Sequence, residues 1–234
     1  MNKFVKYITQ FSRGLWSGQF ALAANLSCAL ACATLLASSA MAAAKPTGLQ
    51  ALLPQACNLA GVFTQSKKLP DINQTLQSSG NFIFSCGQGL IWSTREPQQE
   101  TLIYRRDNKH YVLLPENDAS PLKGRIHREL GNILNNLIGA DIDYLHTHFD
   151  ESANGEGYTL TPKNKRLRKY IANIAIQPLA AGADKHGVNI TIHHSEQENT
   201  QIAIEQTHIF DEFSRALCDQ FNSDAIAACA LLYD

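Results

Sequence analysis

GNFIFSCGQGLIWST, residues 80–94, decides how this chain folds. Phe82 and Phe84 alternate with other residues, a Gly-Gln-Gly turn follows, and Leu90 and Trp92 take up the alternation again. Period two is the signature of a strand with one buried face. Two such runs around a tight glycine turn predict a hairpin with one aromatic, oily side. Working outward, the same alternation predicts strands over 61–68, 76–85, 89–95, 101–106 and 110–114. Turns fall at Pro70-Asp71, Gly87-Gln88-Gly89, Pro97 and Asp107-Asn108. Strands this close together, with no helix between them, make an antiparallel meander.

On either side the pattern changes. Residues 47–60 predict a short helix or two turns, interrupted by Pro54. Residues 120–140 predict an amphipathic helix. Ser120 caps it, Pro121 suits its first turn and Gly139 ends it. Ile126, Leu130, Ile133, Leu134, Leu137 and Ile138 share its apolar face. A short helix over 141–147 follows, then strands at 147–152 and 157–161 around Asn154-Gly155. After the basic turn KNKRLRKY come strands at 171–177, 187–194 and 201–207. The tail segments SRALCDQF and SDAIAACALL are helical. The fold class is α+β, mostly β: one curved antiparallel sheet of nine to eleven strands, with helices against one face. Such a sheet wraps toward a barrel whose interior is either filled or holds a ligand.

The first 44 of the 234 residues differ from the rest. Lys3, Lys6 and Arg13 precede an apolar run over 20–36, which ends in the small-residue stretch SSAMAAAKP. That is the layout of a secretory signal peptide, cut after Ala42 or Ala44. One domain, 45–234, remains, with 17 basic against 21 acidic residues, a net charge of about −4. An acidic balance excludes the general basic footprint of a nucleic-acid binder. Four cysteines remain in that domain: Cys57, Cys86, Cys218 and Cys229. An even number in an exported chain fits two disulfides, with three connectivities open. Proximity in sequence favours Cys218–Cys229, which leaves Cys57–Cys86.

Catalytic and metal motifs are sparse. The sequence holds no G-x-S-x-G, H-E-x-x-H, P-loop or G-x-G-x-x-G. SCGQG sits between two strands and not at a helix start, so it makes a poor phosphate cradle. His146 and His148 would share one face of a strand, with Asp150 continuing it, but a metal needs further ligands. His193 and His194 point to opposite faces. Both pairs read better as surface histidines. Lys163, Lys165, Arg166, Arg168 and Lys169 form the one dense basic cluster. It reads first as a solvated turn and second as a docking point for an acidic partner or an anionic lipid surface.

The block 61–104 resembles the outer-membrane lipoprotein carrier family, LolA, and more closely its LolA-like branch associated with lipid export. Its carrying features are Phe63-Thr64-Gln65, Leu76 with Ser78-Ser79-Gly80, Phe82, Gly89-Leu90-x-Trp92, Pro97 and Thr101-Leu102. Later pieces follow in order: a helix ending in IGAD, the strand at 147–152, GYTLTPKNKRL and the alternation at 200–207. The resemblance implies a periplasmic, non-catalytic carrier without a cofactor, built as an incomplete barrel under a helical lid. Its cargo would be acyl lipid or lipoprotein, taken from an inner-membrane exporter toward an outer-membrane acceptor. The helix over 121–139 is the lid. Strand alternation and helix periodicity then place Phe63, Phe82, Phe84, Leu90, Trp92, Leu102 and Tyr104 on the cavity wall, and Ile126, Leu130 and Leu134 on the lid. The chain departs from the lipoprotein carriers at one point. The family's Lys-Arg-Pro element falls at Ser85-Cys86-Gly87, where no arginine stands. That shifts the expected cargo away from lipoprotein toward another hydrophobic molecule. The alternative is an interaction, assembly or sensor module of the same fold, working beside a lipid exporter without carrying cargo.

Overall fold

The computed structural model describes residues 47–69, 74–114, 119–179, 187–194, 198–221 and 226–233. The expected leader, the Pro70-Asp71 turn and the first residues of the last expected helix, 223–225, lie outside them. Residues 44–234 form one compact unit. No helix among the described residues is long and apolar enough to cross a membrane.

The strands are β1 (Asn58–Leu69), β2 (Gln74–Ser85), β3 (Gly89–Glu96), β4 (Glu100–Arg105), β5 (His110–Leu113), β6 (Ala119–Pro121), β7 (Phe149–Asn154), β8 (Gly157–Pro162), β9 (Ile171–Pro178), β10 (Gly187–His194) and β11 (Asn199–Ile209). They form one sheet in the order β6-β5-β4-β3-β2-β1-β11-β10-β9-β8-β7. Every pairing is antiparallel. The first and last strands of that order, β6 and β7, do not pair, so the sheet is open and not a closed barrel. Among the described residues the α-helices are α1 (Arg125–Ile138), α2 (Ile142–His148), α3 (Arg215–Phe221) and α4 (Ile226–Tyr233).

The meander follows the sequence reading closely. Its register also explains a small repeat, Gly61-x-Phe63 and Gly80-x-Phe82. Antiparallel pairing sets Gly61 across from Phe82 and Phe63 across from Gly80. Each ring lies in the notch left by the other strand's glycine, and a Cβ at either glycine would strike that ring. Aromatic side chains pack over strand glycines where the backbone must come close.

Three expectations need correction. The first is where the lid helix begins. α1 starts at Arg125, not Ser120. Ser120 and Pro121 belong to β6, opposite Val112 and Tyr111. Proline is tolerated on an edge strand because it has no N–H to offer beyond the edge. Gly124, at φ 102°, then turns the chain into the helix.

The second correction concerns His146 and His148. They lie on α2 and not on a strand. Asp141 caps the start of α2 by accepting a 2.9 Å hydrogen bond from the Tyr144 amide. Residues two apart on a helix do not share a face.

The third concerns the helices, which cover both faces of the sheet. α1 and α2 close one face. α3 and α4 lie behind the other, where Cys218, Ala228, Cys229 and Leu232 pack on Ala60, Ile83, Ile91, Ile103 and Leu113. This explains why Phe82, Ile83 and Phe84 are all buried, although alternation alone would send Ile83 to water. α4, IAACALLY, is apolar around its whole circumference; Ala228, Cys229 and Leu232 are buried, and Ala227, Leu231 and Tyr233 are half-buried beside them. The disulfides are Cys57–Cys86 and Cys218–Cys229.

Candidate functional site

The front face of the sheet and the lid enclose one continuous apolar cluster. It runs from Leu59 and Phe63 on β1 across Phe82, Phe84, Leu90 and Trp92 to Tyr104 on β4. On the other side it continues through Ile202 and Ile204 to Ile190, Ile174 and Leu160. Leu134, Leu137 and Ile138 of α1 and Leu145 of α2 cap it. The expected lining residues Phe63, Phe82, Phe84, Leu90, Trp92, Tyr104 and Leu134 all fall inside this cluster, while Leu102 and Leu130 pack half-buried against it. Ile126 falls in the first turn of α1, and its side chain lies outside the described residues.

The aromatic side chains pack against one another. Phe63 stacks on Trp92 with ring centres 3.8 Å apart, and the ring centre of Phe82 lies 6.0 Å from that of Trp92. Phe82 is fully buried and Trp92 is 4% exposed. In this closed arrangement the oily face of the hairpin meets the protein's own core.

α1 meets the sheet along a seam of Gly131, Asn135 and Gly139, spaced four apart. Gly131 lies on the ring of Tyr104 and Gly139 on that of Phe84, and a Cβ at either glycine would collide with the ring. Between them Asn135 donates its side-chain amide to the Tyr104 carbonyl at 2.9 Å. Arg106, just past β4, donates from Nη1 to Asn136 Oδ1 at 3.0 Å, and its guanidinium sits 5.7 Å from the centre of the Phe84 ring. Its neighbour Arg105 turns the other way and donates to the Leu231 carbonyl of α4 at 2.6 Å. Two consecutive arginines thus tie β4 to the helices on its two faces. The Arg106 amide donates to the Gln88 carbonyl at 3.0 Å, which brings Arg106 beside the β2–β3 hairpin. Sequence reasoning missed Arg106, Asn135 and Asn136. Polar residues at helical spacing inside an apolar stripe were the available signal.

His110 is a second feature the sequence did not single out. It is 4% exposed, faces Tyr104 edge-on at 5.5 Å, and neither ring nitrogen has a hydrogen-bond partner. Burial lowers its pKa below the ordinary value, Arg128 adds to the effect and Asp107 opposes it. Tyr104 beside it is pushed well up, first by burial and then by Glu100.

Four other histidines are engaged elsewhere. His146 bonds Glu151 at 2.9 Å, and His148 bonds the Tyr144 carbonyl and stacks on that ring. Asp150 faces Lys163. His193 and His194 bond Asn199 and Thr200, neighbours that point to opposite faces of β11. Among the described residues, no group of three His, Cys, Asp or Glu could hold a metal.

Open hollows among the described residues lie outside the cluster. One of about 510 Å³ lies on the back of the sheet among hydroxyl and amide groups such as Thr64, Ser66, Gln77 and Gln201. Another, about 770 Å³, lies between the start of α1 and the turn before β9.

No family model and no curated protein matches the chain. Solved structures of similar shape include a LolA superfamily protein from Nitrosomonas europaea, 9% identical, covering 70% of this chain and 91% of its own at a TM-score of 0.42. A putative outer membrane lipoprotein-sorting protein domain from Vibrio parahaemolyticus is 9% identical over 72% of this chain and 91% of its own, at a TM-score of 0.38. A DUF1329 family protein from Desulfovibrio piger is 13% identical over 69% of this chain and 89% of its own, at a TM-score of 0.37.

Proposed function

We propose that residues 1–44 are a cleaved leader and that residues 45–234 form a single periplasmic domain that carries the acyl chains of a lipid or lipoprotein toward the outer membrane. Two disulfides fit an oxidising compartment outside the cytosol. One observation carries the reading: the apolar cluster under α1 and α2 is continuous across the front of an open sheet, while two polar attachments, at Asn135 and Asn136, hold the lid to β4. Raising the lid exposes a trough lined by Phe63, Phe82, Phe84, Leu90, Trp92, Leu102 and Tyr104, with Leu130 and Leu134 above it. Each buried methylene of an acyl chain contributes about 0.8 kcal/mol, so a chain of ordinary length can offset the lost contacts of the closed form. An empty carrier that closes on its own side chains also gives its cargo a way out.

The stacking of Phe63 on Trp92 favours a second reading, an interaction module whose interior stays shut. Native mass spectrometry with lipid extraction, on the 45–234 chain purified from a periplasmic fraction, separates the two. Co-purifying acyl lipid or lipoprotein is the expected result. A protein that is reproducibly empty and refuses fatty-acid probes belongs to the second reading.

A further inference from the structure

The 770 Å³ hollow beside the lid is of ligand size, since small-molecule sites run from about 300 to 1,000 Å³. The lid contributes Arg125, the first residue of α1, and Glu129 one turn on. The turn before β9 contributes Arg166, Leu167, Lys169 and Tyr170. Three cations thus face one carboxylate. The ion pairs among the described residues involve neither Arg125 nor Arg166. The floor is different in kind. Leu167 lines the hollow and also packs against the apolar cluster under the lid. Leu167 therefore stands between a cationic rim and the apolar cluster where acyl chains would lie.

We infer that this hollow takes the phosphate headgroup of an anionic glycerophospholipid whose acyl chains enter beneath α1. The inference rests on the carrier reading and narrows its cargo. A planar guanidinium binds a phosphate through two parallel hydrogen bonds, and arginines from two elements can clamp one from both sides. An acylated cysteine has no phosphate to offer them. Arg125 also faces Arg166 and Lys169 across the hollow as a like charge. A phosphate between them turns that repulsion into attraction and draws the start of the lid toward the β9 turn, so the lid closes more firmly over loaded than over empty protein.

Trp92 is the only tryptophan of residues 45–234 and reports from inside the cluster. Its fluorescence should be titrated in the 45–234 chain with dioctanoyl-phosphatidylglycerol, dioctanoylglycerol and glycerol 3-phosphate. The phospholipid should bind at least about tenfold more tightly than the neutral lipid of equal chain length, the order expected of charge-assisted hydrogen bonds. That ratio should fall toward one in an Arg125→Gln/Arg166→Gln variant. It should persist in Lys123→Gln/Lys165→Gln, which removes the same charge from exposed positions off the lining. Equal affinity for the two lipids, or equal loss of the ratio in both variants, overturns the headgroup site and leaves the carrier standing. Glycerol 3-phosphate binding as tightly as the phospholipid makes this a free-phosphate site and overturns it too. Failure of both lipids to bind overturns the carrier reading itself.

Discussion

Gly131 sits in the middle of α1, where alanine is ordinarily better by about 1 kcal/mol. Here the ring of Tyr104 occupies the space a methyl group would need. Gly131→Ala should therefore reverse the usual sign and cost roughly 1–3 kcal/mol in urea denaturation. It should also raise binding of a hydrophobic dye, because the lid is pushed from the sheet. A more stable variant would mean that α1 does not press on β4. The reciprocal Gly-x-Phe pairs make a similar point on the sheet. Phe82→Ala should cost about 3–5 kcal/mol, as large-to-small changes of a fully buried aromatic do. Combined with Gly61→Ala it should cost less than the two separate losses together, since removing the ring frees part of the space the new methyl needs.

At the scale of elements, the lid is held by few polar contacts, and each can be loosened. Arg106→Ala removes the bond to Asn136 and the cation over Phe84. The loss should be about 1–3 kcal/mol, seen first as faster hydrogen exchange in α1 while the central strands stay protected. His110 gives the lid region a pH dependence. Its folded-state pKa is lowered, chiefly by burial, so the neutral ring is favoured in the closed form and the unfolded chain takes up the proton first. Stability should hold above the ordinary histidine value of about 6.5 and fall as pH drops below it. His194, also lowered chiefly by burial, adds in the same direction. His110→Leu should flatten the fall, and an unchanged pH profile in that variant would count against the assignment. The sequence disclosed this lid only in part. The leucine and isoleucine spacing placed its apolar face correctly, because packing against a sheet demands that stripe. It misplaced the start, because Ser120-Pro121 suits an edge strand as well as a helix cap. α2 lies one residue further along than the 141–147 the sequence predicts, and it takes in both His146 and His148, which a period-two reading sets on one face of a strand.

Across the whole molecule, the meander was legible because glycine turns and alternation are local signals. The back layer was not. Nothing in SRALCDQF or SDAIAACALL says which face of a sheet it will cover, and that is settled by what Ile83, Ile91 and Ile103 need above them. Whether the interior is hollow or filled was equally unreadable, since Phe63 and Trp92 look the same in either case. Replacing Cys218 and Cys229 with alanine should lower stability by roughly 2–4 kcal/mol and melt the back layer before the sheet. Simultaneous loss of every signal would show that the back layer is part of the cooperative core.

The back helices cover β1 to β5, and the Cys57–Cys86 link closes the ends of β1 and β2. On the other wing, the backs of β8, β9 and β10 carry Thr159, Ala175, Gln177, Asn189 and Thr191, none of them buried. Among the described residues, then, a wall packed on both faces joins a wall packed on one, and the two differ in compliance. A layer packed on one face bends more cheaply than one packed on both, so on the proposed carrier reading the space under the lid would widen by flexing the β8–β10 wing while the aromatic wall holds its shape. On that reading, one stiff wall and one yielding wall would grip chains of different thickness with the same set of side chains.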